Sequence, residues 1–307
     1  MSILREPIIQ TVAYYDLLDY PLTLWELWHY LARFDSNKPP TIQDLRDALQ
    51  TDPVLKTKTE LQSDYVCLAG RSGLIQKRES KQPENLLHYQ KSARLIKLLC
   101  LCPFVRLLGL SGSIGIYNST PDSDIDLFTI TAPHRIWTAR FFTVLLTKLV
   151  GLYRRPSSIG GKFCLNHFVS QANLVIDHKN IYTARLFSQL VVAYESVVYR
   201  DFQQANLWIR DYIPRYPWLN LPPFPIIKPG WFPKIVKQTV ETILNGKLGD
   251  LVEAKLRQLQ LKHIHQDPRR LEPQAQIVLT DQCLRFHLIA QEPIMLDKFQ
   301  HQLATLL

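Results

Sequence analysis

Cysteine is scarce in this chain of 307 residues. Its five thiols, Cys67, Cys100, Cys102, Cys164 and Cys283, are odd in number, lie in apolar surroundings and lack the paired spacing of a zinc site. That excludes a disulfide framework, and the residues read as reduced core thiols of a cytoplasmic protein. Long apolar runs are missing too. The longest, Phe141 to Tyr153, is interrupted by Lys148 and falls short of the ~20 residues that span a bilayer, so no membrane insertion is expected. The opening MSILREPIIQ has an acid and a proline where a secretory peptide needs an apolar core, which predicts no export signal. There is no internal repeat and no polar low-complexity tract, so the chain is expected to fold throughout.

What is present is ordinary for a globular protein: 46% apolar and 21% charged residues. The length predicts two or three compact units. Lys and Arg outnumber Asp and Glu 36 to 27, and this excess favours anionic partners such as nucleotides or nucleic acid.

Residues 1–99 read as helices, a hairpin and a further helix. Ile8 to Leu18 has apolar residues at helical spacing. Thr23 to Arg33 opens with TLWE, in which Thr23 caps and Glu26 returns the bond. Thr41 to Leu49 begins with a similar threonine, and Asp44 lies in its first turn. LKTKTELQ and YVCLAG then flank a polar turn at Ser63 and Asp64. Helix, helix, helix, hairpin is the order of a winged helix. Gln82 to Leu101 continues as an amphipathic helix with Lys91, Arg94 and Lys97 on a basic face. Trp25, Trp28, Tyr14, Tyr15 and Tyr20 fall at core-type helical positions.

Residues 100–213 alternate strand 105–110, turn and short helix 111–117, strand 125–131, helix 135–152, strand 162–169 and helices from 181 onward, a mixed α/β pattern. Residues 214–233 hold seven of the chain's twenty prolines and read as a linker. Residues 234–307 read as mainly helical, broken at Asn245 and Gly246, with a short strand pair over 277–288 and a last helix from Ile294 to Leu307. The fold class expected is therefore α+β or mixed α/β.

Chemistry concentrates in LLGLSGSIGIYNSTPDSDIDLFTI, 107–130. Ser111, Gly112 and Ser113 follow an apolar strand, and a small-residue turn at a helix start presents backbone amides to an anion, with Gly112 allowing close approach. Asp124 and Asp126 stand at i and i+2 of the next strand, so both share one face while Ile125 turns to the core. Two carboxylates on one face make half a site for a hard divalent cation. The bland alternative is a polar turn in which Asp124 merely caps.

SGS, ten residues, then DIDL resembles the signature of the nucleotidyltransferase superfamily related to DNA polymerase beta, a Gly-Ser turn followed later by Asp-hydrophobic-Asp. The winged-helix-like front and the WTAR helix after the motif also resemble a group of bacterial nucleotidyltransferase-domain proteins. The resemblance implies a small mixed-sheet nucleotidyltransferase domain between the two flanking units. It implies Mg²⁺- or Mn²⁺-dependent transfer of a nucleoside monophosphate from a nucleoside triphosphate to a hydroxyl whose identity the motif does not give. Asp124 and Asp126 would hold metal, and Gly112 and Ser113 would seat phosphates. Ser111 of the turn and Lys162 on the third strand are further nucleotide contacts by position alone, Lys162 being equally readable as a solvated surface residue.

One departure matters. Members of the superfamily usually carry a third carboxylate on the next strand; here KFCLNHFV offers Asn166, which cannot accept a proton at neutral pH. Alternation points His167 to the other face, and Asp122 or Asp177 would substitute only if their loops fold inward. A catalytically impaired nucleotide-sensing or partner-binding protein is therefore the rival, and nucleic-acid binding a further one. TIQDLRDALQ, where a recognition helix would fall, has two aspartates and one arginine, against what groove binding needs. Lys56, Lys58, Arg71, Lys77, Arg78 and Lys81 form either a backbone contact or a solvated surface. Arg154 and Arg155 either meet a triphosphate or are likewise solvated. KHIHQDPRR, 262–270, has two histidines but no further ligand nearby, and reads as a loop.

Overall fold

The computed structural model describes residues 3–35, 38–120, 122–155, 159–195, 197–217, 226–273, 275–287 and 290–307. It has a mixed α+β fold with two open sheets, one of three strands and one of six.

The N-terminal part runs α1 (Arg5–Asp16), β1 (Leu22–Thr23), α2 (Leu24–His29), α3 (Ile42–Thr51), α4 (Pro53–Lys58), β2 (Thr59–Gln62) and β3 (Tyr65–Leu68). The strands pair antiparallel in the order β1-β3-β2. Thr23 and Thr41 each accept a bond from the amide three residues on, and Glu26 and Asp44 accept from the cap amides in return. LKTKTELQ is not all strand: Asp52 caps a turn that Pro53 opens, so the chain stays helical to Lys58. α2 stops at His29, short of the expected Arg33. Trp25 is not a core residue; it is 54% exposed and stacks on His29 one turn away, whereas Tyr14, Tyr15 and Tyr20 are buried as expected.

α5 (Gly73–Leu99) starts nine residues before the expected Gln82 and continues through Pro83. It leads into β4 (Val105–Ser111), α6 (Gly112–Gly115), β5 (Ile125–Thr131), α7 (Ile136–Leu149), β6 (Phe163–Ser170), α8 (Ile181–Ser188), β7 (Val191–Glu195) and α9 (Val198–Ala205). β7 interrupts a stretch expected to be helical. Leu190 and Val192 pack to one side and Val191 and Ala193 to the other, and a short run covered on both faces suits a strand of a sheet with helices on either side.

The chain then forms α10 (Trp231–Ile243), α11 (Lys247–His265), β8 (Gln276–Leu279), β9 (Cys283–His287) and α12 (Gln291–Leu306). Gly246, at φ +85, makes the break between α10 and α11. Of the proline-rich stretch, residues 218–225 lie outside the described residues, as does the end of the strand pair at 288. Trp231 to Pro233 already belong to α10, in a first turn where a missing amide leaves no bond unmade.

The large sheet is ordered β7-β4-β5-β6-β9-β8. β5 and β6 are parallel and the other neighbours antiparallel, so the last strand pair extends the sheet that carries the motif. α5 and α7 cover one face through Leu95, Ile96, Ile136 and Trp137, packed with Leu108, Leu127 and Phe168. α8 and α9 cover the other through Phe187 and Phe202, packed with Leu107, Phe128 and Ile130. The N-terminal core closes on α12 through Phe299, whose ring meets Tyr14 edge-on. All five cysteines are free, four of them buried. Among the described residues no helix is long and apolar enough to cross a membrane.

Candidate functional site

β4 delivers the small-residue turn directly above β5. Ser111 pairs with Asp126 across the antiparallel register, and at Gly112 the chain turns back with φ +66. A Cβ built on Gly112 would lie 2.8 Å from Asp126 Oδ2. Glycine is therefore required twice here, by the backbone angle and by the carboxylate that fills the side-chain space. α6 follows, and Ser113 accepts a bond from the Asn118 amide at 2.8 Å, which folds the next loop back toward the turn.

That loop is anchored to the N-terminal part of the chain. Asn118 donates to the Leu18 carbonyl at 2.8 Å and accepts from Lys81 at 3.2 Å. Ser119 donates twice to Asn85 Oδ1 on α5, from its amide and its hydroxyl, and its hydroxyl also bonds His88 Nδ1. The start of β5 is thus held from both sides before Asp124 is reached.

Asp126 lies on the face of β5 that Phe128 and Ile130 continue toward α8, and Asp124, one residue before the strand, brings its carboxylate to the same place. Asp126 Oδ1 accepts from Asn166 Nδ2 at 3.1 Å. Asp124 Oδ2 accepts from Arg154 Nε at 2.9 Å, and the same guanidinium donates from Nη1 to Cys164 Sγ at 3.3 Å. Cys164 is the register partner of Asp126. Ligand atoms of Asp124, Asp126 and Cys164 all lie within 4.8 Å of one another, the one such grouping among the described residues. Burial, reinforced by the neighbouring Asp124 charge, pushes the Asp126 carboxyl up to about 6. Burial also pushes the Cys164 thiol up to about 12, with Asp126 adding to it.

β6 corrects the expectation for His167. Asp126 faces Cys164 but Phe128 faces His167, so β6 has one residue more than β5 over this interval, a bulge. Asn166 and His167 consequently lie on the same face. The His167 ring meets Phe128 edge-on at 5.2 Å, and burial holds its pKa well below the ordinary value. It is a neutral, packed imidazole on the site's side of the sheet, reached by a break in alternation that a regular strand would not contain.

The remaining candidates divide. Lys162 Nζ donates to the Gly151 carbonyl at 2.8 Å, a bond within its own loop. Arg155, Asp122 and Asp177 are exposed, and neither aspartate belongs to the ligand grouping. His263 and His265 sit exposed on α11, also outside it. Sequence reasoning missed Cys164, although KFCLNHFV places it two residues before Asn166 and hence on the same face of a strand. It also missed Tyr182 on α8, whose hydroxyl is pushed up to about 12 by burial, with Asp126 and Glu292 adding to the effect. A groove of about 580 Å³ lined by Phe104, Arg106, Arg135 and Glu241 lies beyond the far end of β5, and Arg106 and Glu241 are already paired with each other.

No protein-family model matches the sequence, and comparison with curated proteins and with solved structures likewise gives no match.

Proposed function

We propose that this chain is a nucleotidyltransferase of the DNA polymerase beta-like kind, which transfers a nucleoside monophosphate from a nucleoside triphosphate to a hydroxyl and releases pyrophosphate. In this reading residues 100–213 are the nucleotidyltransferase domain, between a winged-helix-like unit over 1–99 and a mainly helical one over 234–307, in a cytoplasmic protein. The observation that carries the reading is the seat at Gly112: a positive-φ glycine whose side-chain space is filled by the Asp126 carboxylate, with Asp124 alongside. Phosphate amides and metal carboxylates are then adjacent by construction, as phosphoryl chemistry demands.

The donor set fits a divalent cation, since two carboxylates converge beside a buried thiol. Asp124 and Asp126 would hold Mg²⁺ or Mn²⁺, which when bound neutralises charge on the phosphates and the departing pyrophosphate. The chain's own residues do the rest. Ser111, Gly112 and Ser113 offer backbone amides to the triphosphate, and Arg154, now on Asp124, is within reach of the same charge. Asn166 orients Asp126 through its hydrogen bond but accepts no proton.

That last point favours a second reading, a nucleotide-binding protein without turnover. The third donor strand presents an amide and a thiol to the carboxylates and no further acid. A nucleic-acid grip gains less: on α3, Arg46 is tied to Asp64, and Asp44 and Asp47 flank it.

The test is calorimetric titration of ATP, CTP, GTP and UTP with Mg²⁺ or Mn²⁺ into the wild type and into Asp124→Ala/Asp126→Ala. Cation-dependent binding that the double variant loses is the expected result; a folded wild type that binds no triphosphate overturns both readings. Pyrophosphate release, present or absent, then separates them, and activity gained by Asn166→Asp would identify a site impaired by the missing carboxylate.

A further inference from the structure

Cys164 stands where a core thiol has little reason to be. It is the parallel-register partner of Asp126, on the carboxylate face of the sheet, with Sγ grouped with oxygens of both aspartates. Cys100 and Cys102, by contrast, lie in the apolar core over the sheet's other face. The guanidinium of Arg154 bridges Asp124 Oδ2 and Cys164 Sγ, so positive charge is already received by a carboxylate and the sulfur together. The backbone above is shaped to match, because Asp126 Oδ2 occupies the space that a side chain at Gly112 would take.

We propose that Cys164 is the third protein ligand of the cation held by Asp124 and Asp126, and that the site therefore takes a thiophilic divalent ion, Zn²⁺ before Mn²⁺ and Mn²⁺ before Mg²⁺. The proposal rests on the reading of this site as a cation site and adds the identity of the donor that replaces the missing carboxylate. Mg²⁺ takes oxygen ligands and gains nothing from sulfur. Thiolate donors select zinc-class ions, and two carboxylates with one thiolate leave a coordination position open to water or substrate. On binding, the Cys164 S–H bond breaks, the sulfur lone pair goes to the metal and the proton to solvent. Arg154 leaves the pair as the ion enters and is then free to meet phosphate.

Co²⁺ is the probe, because a thiolate ligand gives it a charge-transfer band in the near ultraviolet that carboxylates do not. The metal-free, reduced full chain is titrated with Co²⁺ by absorbance and by calorimetry in parallel, and the bound ion is then challenged with Zn²⁺ and with Mg²⁺. The expected result is one thiolate band per chain, displaced by stoichiometric Zn²⁺ but not by equimolar Mg²⁺, lost in Cys164→Ser with Co²⁺ binding weakened about tenfold or more. Should Cys164→Ser fail to fold by circular dichroism, loss of the band in Asp124→Asn ties the thiolate to this site. Co²⁺ bound by the wild type with no thiolate band, or a band that survives in Cys164→Ser, overturns the proposal and leaves the carboxylate site standing. Co²⁺ not bound at all overturns the cation site as well.

Discussion

At the scale of single residues the site is governed by space at Gly112 and charge at Arg154. A methyl at Gly112 would meet Asp126 Oδ2 at 2.8 Å, and the turn would hold the new L residue at φ +66, a conformation that alone costs about 1–2 kcal/mol. Gly112→Ala is expected to lower stability by at least that amount and to weaken cation binding, because the carboxylate must move. Urea unfolding and a Mn²⁺ titration read the two effects, and an unchanged Mn²⁺ affinity would disconnect the turn from the carboxylates. Arg154 poses the opposite case. Its side chain is 43% exposed, and an exposed pair of this kind is worth up to about 1 kcal/mol. An entering cation must give up about that much to displace it, so Arg154→Gln should tighten divalent binding in the absence of nucleotide by a few-fold. Calorimetry checks this, and weaker binding in the variant would mean that the guanidinium helps hold the site open.

At the scale of elements, α7 has no local cap. Its N-cap is Arg135, which makes no side-chain capping bond, and the open amides of Trp137 and Thr138 instead donate to the Glu253 carboxylate of α11, each at 2.8 Å. One acid thus caps a helix from another helix, satisfying two donors and opposing the positive end of the α7 dipole. Glu253→Ala is expected to cost about 1–2 kcal/mol, visible as a lower denaturation midpoint, and Glu253→Gln part of that; no change would mean that water replaces the cap freely. Such links explain what sequence could and could not convey. The threonine caps of α2 and α3, the break at Gly246 and the strand that carries Asp126 were legible because their causes lie within a few neighbouring residues. The cap of α7, the β6 bulge and the strand character of Val191 to Glu195 were not, because each depends on a partner far along the chain. Cys164 was legible by alternation and was passed over because a lone thiol in an apolar stretch ordinarily means core.

At the scale of the whole molecule, the C-terminal segment completes the other parts. β9 pairs with β6, and Phe299 of α12 joins the N-terminal core. The β6–β9 seam also brings together the buried His167 and the half-buried His287, and these set the response to acid. Burial, with Arg285 adding, holds His287 down to about 4 against the opposing pull of Glu292, and its Nε2 has no hydrogen-bond partner among the described residues. His167 beside it is likewise held well below the ordinary value by burial, His287 and Arg285. Burial likewise lowers His29 to about 4 and moves His88 in the same direction. For each, the unfolded chain takes up a proton near 6.5 that the folded chain refuses, so stability is full above that pH and falls as the pH drops toward the folded value. Asp126 works the other way, since its raised carboxyl lets the folded chain protonate first below about 6, but it is one group against four. His287 alone should cost about 2 kcal/mol by pH 5. Urea midpoints taken from pH 7.5 to 5 should therefore fall steeply, and His287→Gln should flatten the slope by close to one proton. A slope that the variant leaves unchanged would mean that the seam opens to water before its histidines titrate, and that the acid response arises elsewhere in the chain.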